Sequence, residues 1–194
     1  MPKDFASHCE RNKQPILDQL KVYFASSRHV LEIGSGTGQH AVFFAEKLPH
    51  LVWHTSDRIE NHASVKAWIS ESKLDNIVLP LEFTIGRDPW PAIQVDGVFT
   101  ANTTHIMQPA EAKLMMELVA ANLPRDGVFC QYGPMNMDGK YTSKSNQDFD
   151  QTLKNKGYGG IRSVEELVSW GQGLQLVEKI PMPTNNFLLV WKAF

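Results

Sequence analysis

The residues best placed to do chemistry lie between Glu32 and Asp57. "EIGSGTG" runs from Glu32 to Gly38, with glycine at 34, 36 and 38 directly behind the strand-forming run "RHVLEI". A glycine-rich turn from strand to helix lets backbone N–H groups approach a ligand closely. Two ligand classes use such a turn. The dinucleotide fingerprint G-x-G-x-x-G needs a third glycine where this chain has Gln39, and the Gly-Lys-Ser/Thr ending of a phosphate-binding loop is missing. Glu32, an acid inside the apolar strand, would repel phosphates. It suits a ligand that carries an ammonium or sulfonium group and no phosphate. Asp57 ends the next strand-like run, "LVWHTSD". By its position alone it reads as a helix cap for the segment that follows.

Elements that would position these residues can be read from periodicity. "KQPILDQLKVYFASS" reads as an amphipathic helix with Ile16, Leu17, Leu20, Tyr23 and Phe24 on one side, and Arg11 and Asn12 fall before it. The strand "RHVLEI" precedes the helix "QHAVFFAEKL", in which Phe43 and Phe44 read as core. The strand "LVWHTSD" precedes the helix "ENHASVKAWISESK". "NIVLPLEF" is a third strand, and Pro80 within it implies an edge or a bulge. "VDGVFTAN" is a fourth, "PAEAKLMMELVAANL" a helix with Pro109 near its first turn, and "GVFCQYG" a fifth strand. This alternation implies right-handed crossovers and a parallel sheet covered on both faces. After two short helices, "LQLVEKI" and "NNFLLVWKAF" lie close enough to pair only antiparallel.

The acid two residues before G-x-G-x-G resembles the first motif of the class I S-adenosylmethionine-dependent methyltransferases. The resemblance implies an α/β, three-layer Rossmann-like methyltransferase fold, with a mostly parallel seven-stranded sheet ending in an antiparallel hairpin. It also implies S-adenosylmethionine as cofactor. The turn, with Ser35, would pass beneath the amino-acid moiety and ribose, Glu32 would lie near the amino group, and Asp57, with Arg58 beside it, would bond the ribose hydroxyls. An acid for the adenine amino group is expected after the third strand. Thr84 and Ile85 stand there instead, and Asp88 follows. Asn102 and Thr103, in "FTANTTHI", would line the cofactor. "ERNKQPIL", "YGPM", "SNQDFD", "GGIR" and "MPTNNFLLVW" together are similar to a smaller family of methyltransferase-like proteins, found in bacteria and animals and assigned by fold.

Further residues carry two readings each. His40 faces the cofactor or lies on the helix surface. Arg11 pairs with the cofactor carboxylate or is a solvated charge, and Asn12 reaches the acceptor or caps a helix. His105 removes a proton from the nucleophile or is bonded to backbone in a loop. Tyr132, Tyr141, Asn146, Arg162, Asn185 and Asn186 lie on segments beyond the fifth strand or in the final hairpin loop, where ligands of open parallel sheets bind. The polar segment "GPMNMDGKYTSKSNQDFD" suits a lid.

Bulk composition narrows the partners. The 194 residues suit one domain, residues 1–194. Nineteen basic against twenty-one acidic residues leave a net charge of -2, which offers no field to hold nucleic acid. Cys9 and Cys130 suggest neither a disulfide framework nor a zinc site, and no metal is expected. The first residues contain no apolar leader core, and no apolar run approaches membrane-spanning length, so the protein is expected in the cytoplasm. "ANTT" keeps only the asparagine of an N-P-P-Y-type signature, which turns the expectation toward a small-molecule acceptor. A homodimer is compatible with the apolar chain ends. The alternative function is an S-adenosylmethionine-binding protein without transferase activity, a sensor or partner subunit. A nicotinamide-dependent oxidoreductase fits less well, given Glu32, Gln39 and no suitably placed Tyr-x-x-x-Lys pair.

Overall fold

A computed structural model describes residues 3–194. Seven longer strands are hydrogen-bonded in the order β3-β2-β1-β4-β5-β9-β8. They are β1 (His29–Ile33), β2 (Val52–Asp57), β3 (Ile77–Glu82), β4 (Gly97–Ala101), β5 (Val128–Gly133), β8 (Leu174–Met182) and β9 (Asn186–Ala193). A separate two-stranded ribbon joins β6 (Asn136–Met137) to β7 (Lys140–Tyr141). Contacts group the chain into two compact units, one ending at Thr100 and the other running Ala101–Phe194.

In the first unit, β1 lies parallel between β2 and β4, and β2 pairs parallel with β3. The run Val30, Leu31, Glu32, Ile33 is buried throughout, as a central parallel strand must be. Phe44, from α2 (Gln39–Lys47), meets Trp53 of β2 and Phe99 of β4 at ring distances of 5.6 and 5.4 Å. Burial of each such ring adds roughly 1.5–3 kcal/mol. Pro80 has the context expected of it. β3 ends the sheet order, and the β2–β3 register shifts between His54 and Ser56. The missing Pro80 N–H therefore interrupts no regular ladder on both sides. The helix α3 (His62–Ser72) follows a single 3-10 turn, Ile59–Asn61.

The start of α1 corrects the sequence reading. It spans Ser7–Tyr23, so Arg11 and Asn12 lie inside the helix and not before it, and Pro15 sits in its interior. Proline is strongly disfavoured there, which is why the sequence points to a start near Lys13. Ile16, Leu17 and Leu20 form the buried stripe.

In the second unit, β9 pairs antiparallel with both β5 and β8, which is the expected terminal hairpin. Its turn places Thr184 and Asn185 in the left-handed region. Helices α4 (Pro109–Asn122), α5 (Lys144–Asn155) and α6 (Val164–Trp170) complete the unit. Two of them start on reciprocal caps: Gln108 with Glu111, and Ser163 with Glu166. Asp138 and Gly139 turn β6 into β7 with φ of 51° and 69°. Asp-Gly is a strong hairpin signal, and the sequence reading above passed it over inside the lid segment.

Candidate functional site

The glycine turn is built by alternation of backbone hand. Gly34, Gly36 and Gly38 all have positive φ, with the residues between them on the ordinary side. The Gly34 and Ser35 N–H groups both donate to the Ser56 carbonyl, at 3.0 and 2.9 Å, which ties the turn to the end of β2. Two glycines have distinct reasons. A Cβ on Gly38 would come 2.9 Å from Val65 Cα, so this glycine lets α2 approach α3. A Cβ on Gly36 would meet nothing within 4 Å, although φ of +57° strains any side chain there. Gly36 therefore borders open space, and its conformation bares its backbone to that space.

Asp57 closes the turn from below. Its Oδ2 accepts from Gly36 N–H at 2.6 Å, and its Oδ1 from Arg58 N–H at 2.7 Å and Asn61 Nδ2 at 2.8 Å. Two carboxylate oxygens offer about four acceptor positions, so three bonds leave room for another donor. Glu32 lies deeper, 2% exposed. Ser35 Oγ at 2.8 Å and Trp53 Nε1 at 3.1 Å both donate to its Oε2. Burial pushes the Glu32 carboxyl up to about 7, against the pull of those two donors. Such a group sits at the edge of ionisation at neutral pH and gains from any cation brought beside it.

His40 faces inward in its unit. It stacks on Phe44 at 5.2 Å, and its Nε2 lies 2.7 Å from Asn12 Oδ1, which makes Nε2–H the donor. Burial lowers its pKa to about 4, so the ring is neutral. Asn12 is thus bonded to His40. Arg11 is exposed and donates to Ser7 Oγ at 3.3 Å. The Arg58 side chain is exposed. In the loop after β3, Asp88 Oδ2 accepts from Thr84 N–H at 2.7 Å and so caps the backbone where an adenine-binding acid was expected.

The second unit gathers other residues. Asn102 has φ of 57° and donates its N–H to the Tyr132 carbonyl at 2.9 Å; Thr103 follows it in the loop. His105 is buried, packs edge-on against Phe149 at 5.4 Å, and accepts from Gly160 N–H through its carbonyl. A Cβ on Gly133 would lie 3.8 Å from His105 Nδ1 and 3.9 Å from Asn102 Oδ1, so these two side chains converge on the end of β5. Asn186 Nδ2 donates to Tyr132 Oη at 3.0 Å. The other expected acceptor residues hold loops. Tyr141 Oη donates to Asp150 at 2.6 Å. Asn146 Nδ2 donates to Thr142 Oγ1 and to the Asn185 carbonyl, both at 2.9 Å. The Arg162 guanidinium donates to the carbonyls of Gly159 and Gly160 at 2.6 and 3.2 Å. A groove of about 420 Å³ between α4 and α6, lined in part by Glu117 and Trp170, contains none of these residues.

Sequence reasoning missed Trp53 and Asn61. A buried indole needs an acceptor, and a strand tryptophan beside a strand acid was a usable signal. Asn61, four residues beyond Asp57, left no such signal. Among the described residues, no three His, Cys, Asp or Glu side chains group to hold a metal ion, and no helix is long and apolar enough to cross a membrane.

A family profile described as a protein of unknown function, DUF938, matches residues 3–193. Among solved structures, an O-methyltransferase family protein from Burkholderia thailandensis superposes with a TM-score of 0.81 at 17% identity, over 93% of this chain and 56% of that one. An O-methyltransferase family 2 protein from Planctomyces limnophilus, crystallised with apigenin, gives 0.82 at 18%, over 97% and 59%. Human N-acetylserotonin methyltransferase in complex with S-adenosylmethionine gives 0.75 at 13%, over 93% and 54%. The chain therefore spans a little over half the length of these structures. At such identities the likeness establishes the fold, which is the Rossmann-like methyltransferase fold.

Proposed function

The chain belongs to the DUF938 family, and we propose that it is an S-adenosylmethionine-dependent methyltransferase acting on a small-molecule acceptor. One observation carries the reading: a buried carboxyl, Glu32, stands behind a glycine turn whose Gly36 borders open space. These residues fit the cofactor. Glu32 would hold its ammonium group, directly or through water. Asp57 would accept from one ribose hydroxyl at its remaining acceptor position while keeping the turn in shape through Gly36. The backbone of the turn, with Ser35 and Gly38 supporting it, would lie beneath the cofactor. Arg11 and Arg58, both exposed, are the candidate partners of its carboxylate. His40, neutral and bonded to Asn12, would shape the wall and carry no charge.

When bound, the cofactor supplies a methyl group on a sulfonium, which transfers by in-line displacement and leaves a neutral thioether. The protein's part is placement, worth roughly 7–11 kcal/mol of barrier in favourable cases. His105 is the candidate base for an acceptor hydroxyl. Ile106, Phe149 and Tyr158, exposed on the segments around it, would suit an apolar acceptor. A second reading keeps cofactor binding without turnover. It is favoured by the bonds that occupy Tyr141, Asn146 and Arg162, which leave fewer groups for an acceptor.

Calorimetry and thermal shift with S-adenosylmethionine, S-adenosylhomocysteine, NAD and NADP test the proposal. A ligand at a hundred times its Kd stabilises by about 2.7 kcal/mol, which raises Tm by roughly 5–10 °C at this size. We expect that rise with the two adenosyl compounds alone. A rise with the nicotinamides overturns the reading of Glu32. Binding with no methyl transfer across an acceptor panel favours the second reading.

A further inference from the structure

Residues 3–12 lie against the start of α2 and against α3 within the first unit, and polar bonds hold them there. Asp4 N–H donates to Ser64 Oγ at 2.9 Å, and Ala6 N–H to Gln39 Oε1 at 2.6 Å. Trp68 Nε1 donates to the Asp4 carbonyl at 2.9 Å, and Lys3 pairs with Glu71. Gln39 is the hub of these bonds. Its Oε1 also accepts from Thr37 Oγ1 at 3.1 Å, and its Nε2 donates to Glu10 Oε1 at 3.0 Å. This one amide, 3% exposed, joins the glycine turn, the start of α2 and two positions of the segment.

Apolar anchoring is sparse in the same stretch. Within residues 3–12 only Cys9 and Asn12 are buried, whereas Ile16, Leu17 and Leu20 are buried almost completely. Pro15 stands at the boundary between the two halves of α1. It has no N–H to donate to the Arg11 carbonyl, so the helix lacks a bond where polar anchoring gives way to apolar anchoring. Two helix starts are then available to this sequence. One is the observed start at Ser7. The other lies just before Pro15, where proline is favoured.

We propose that residues 3–12 form a strap beside the glycine turn, hinged at Pro15, and that Gln39 and Glu10 are the latch that holds it closed. The proposal rests on the reading of the turn as the cofactor's seat. A ligand on the turn and a closed strap then stabilise each other, because the strap fixes Gln39 and through it Thr37, the residue between Gly36 and Gly38. Gln39 and Glu10 act as positioning residues, and neither needs to touch the cofactor.

The test combines hydrogen exchange with a charge swap. Amide exchange of residues 3–12 and of 16–23 is measured with and without S-adenosylhomocysteine, alongside its dissociation rate. In the wild-type protein the ligand slows exchange of 3–12 by about tenfold or more, as expected when it biases a two-state element. Gln39→Glu sets a carboxylate beside Glu10; it removes that protection and speeds dissociation about tenfold, the scale of one hydrogen bond to a charged group. Adding Glu10→Gln restores a donor–acceptor pair with the roles exchanged, and both readouts return to within about twofold of wild type. Pro15→Ala, which returns the missing N–H, slows association. Unchanged exchange of 3–12 while calorimetry shows the ligand bound overturns the strap. A double variant no better than Gln39→Glu overturns the latch. No binding heat in the wild-type protein removes the cofactor reading, and the proposal with it.

Discussion

Two sets of polar residues, both read from the sequence as candidates, have opposite environments. Around the glycine turn, Asp57 retains acceptor room beside the open space at Gly36, and Glu32 carries a buried carboxyl that accepts from Ser35 and Trp53 on one oxygen. In the second unit, Tyr141, Asn146 and Arg162 direct their donors to the protein's own carbonyls and to Asp150. Asp150 is 1% exposed; burial alone would raise its pKa, but donors from Lys154, Tyr141 and the Ile161 N–H together hold it below its usual value. Being polar and lying beyond a strand end does not mark a ligand site. Unused hydrogen-bonding capacity beside open space does, because a group whose valences are filled by the fold must break a bond before it can take a ligand.

The sharpest way to break this contrast is at the turn. Gly36→Val forces a β-branched residue to φ near +57° and fills the open space. We expect binding of S-adenosylhomocysteine to fall by more than about a hundredfold, roughly 3 kcal/mol. Asp57→Ala should also lose binding, and it strands the Gly36 and Arg58 N–H groups at about 1–3 kcal/mol each. Asp57→Asn keeps an acceptor, so calorimetry on it separates ligand loss from turn collapse. Normal affinity in Gly36→Val would detach the ligand from the turn.

Next in size is the pH dependence set by Glu32. Its carboxyl rises from an ordinary 4.5 to about 7 in the folded protein, so the folded state holds the proton more tightly than the unfolded chain. Stability from this group is therefore fully present below pH 4.5 and is lost as pH rises through 7, by about 3 kcal/mol in all. Urea unfolding at pH 5 and pH 9 should show that loss, and Glu32→Gln should remove it. Ligand affinity runs the other way. An ammonium group needs the ionised carboxylate, so binding should strengthen between pH 6 and 8, and a flat profile would separate Glu32 from the ligand's charge.

The smallest effects are expected in the second unit. Tyr141→Phe and Asn146→Ala should each lower stability by about 1–2 kcal/mol, or roughly 2–8 °C in Tm, with ligand affinity unchanged. A changed affinity for an acceptor, once one is found, would return these residues to the binding surface.

How far the sequence could be read depended on the range of the interactions. Strand–helix alternation, the terminal antiparallel hairpin and Pro80 at the sheet edge follow from periodicity and from the missing proline N–H, and all are present. The start of α1 does not follow, because long-range hydrogen bonds from Ala6 and Glu10 to Gln39 hold the first turns of the helix despite the local penalty at Pro15. The Asp138–Gly139 hairpin was legible and was hidden by its polar surroundings.

By itself the sequence determined where glycine had to stand and which acids flank it, because hand of backbone and period of burial are properties of neighbouring residues. Only the tertiary structure decided which polar groups remain available. Glu32 meets Trp53 across 21 positions, and Asn146 meets the Asn185 carbonyl across 39. Hydrogen bonds of that span depend on how strands and helices are brought together, and no local pattern records whether a side chain will find its partner within the fold or keep a valence for a ligand.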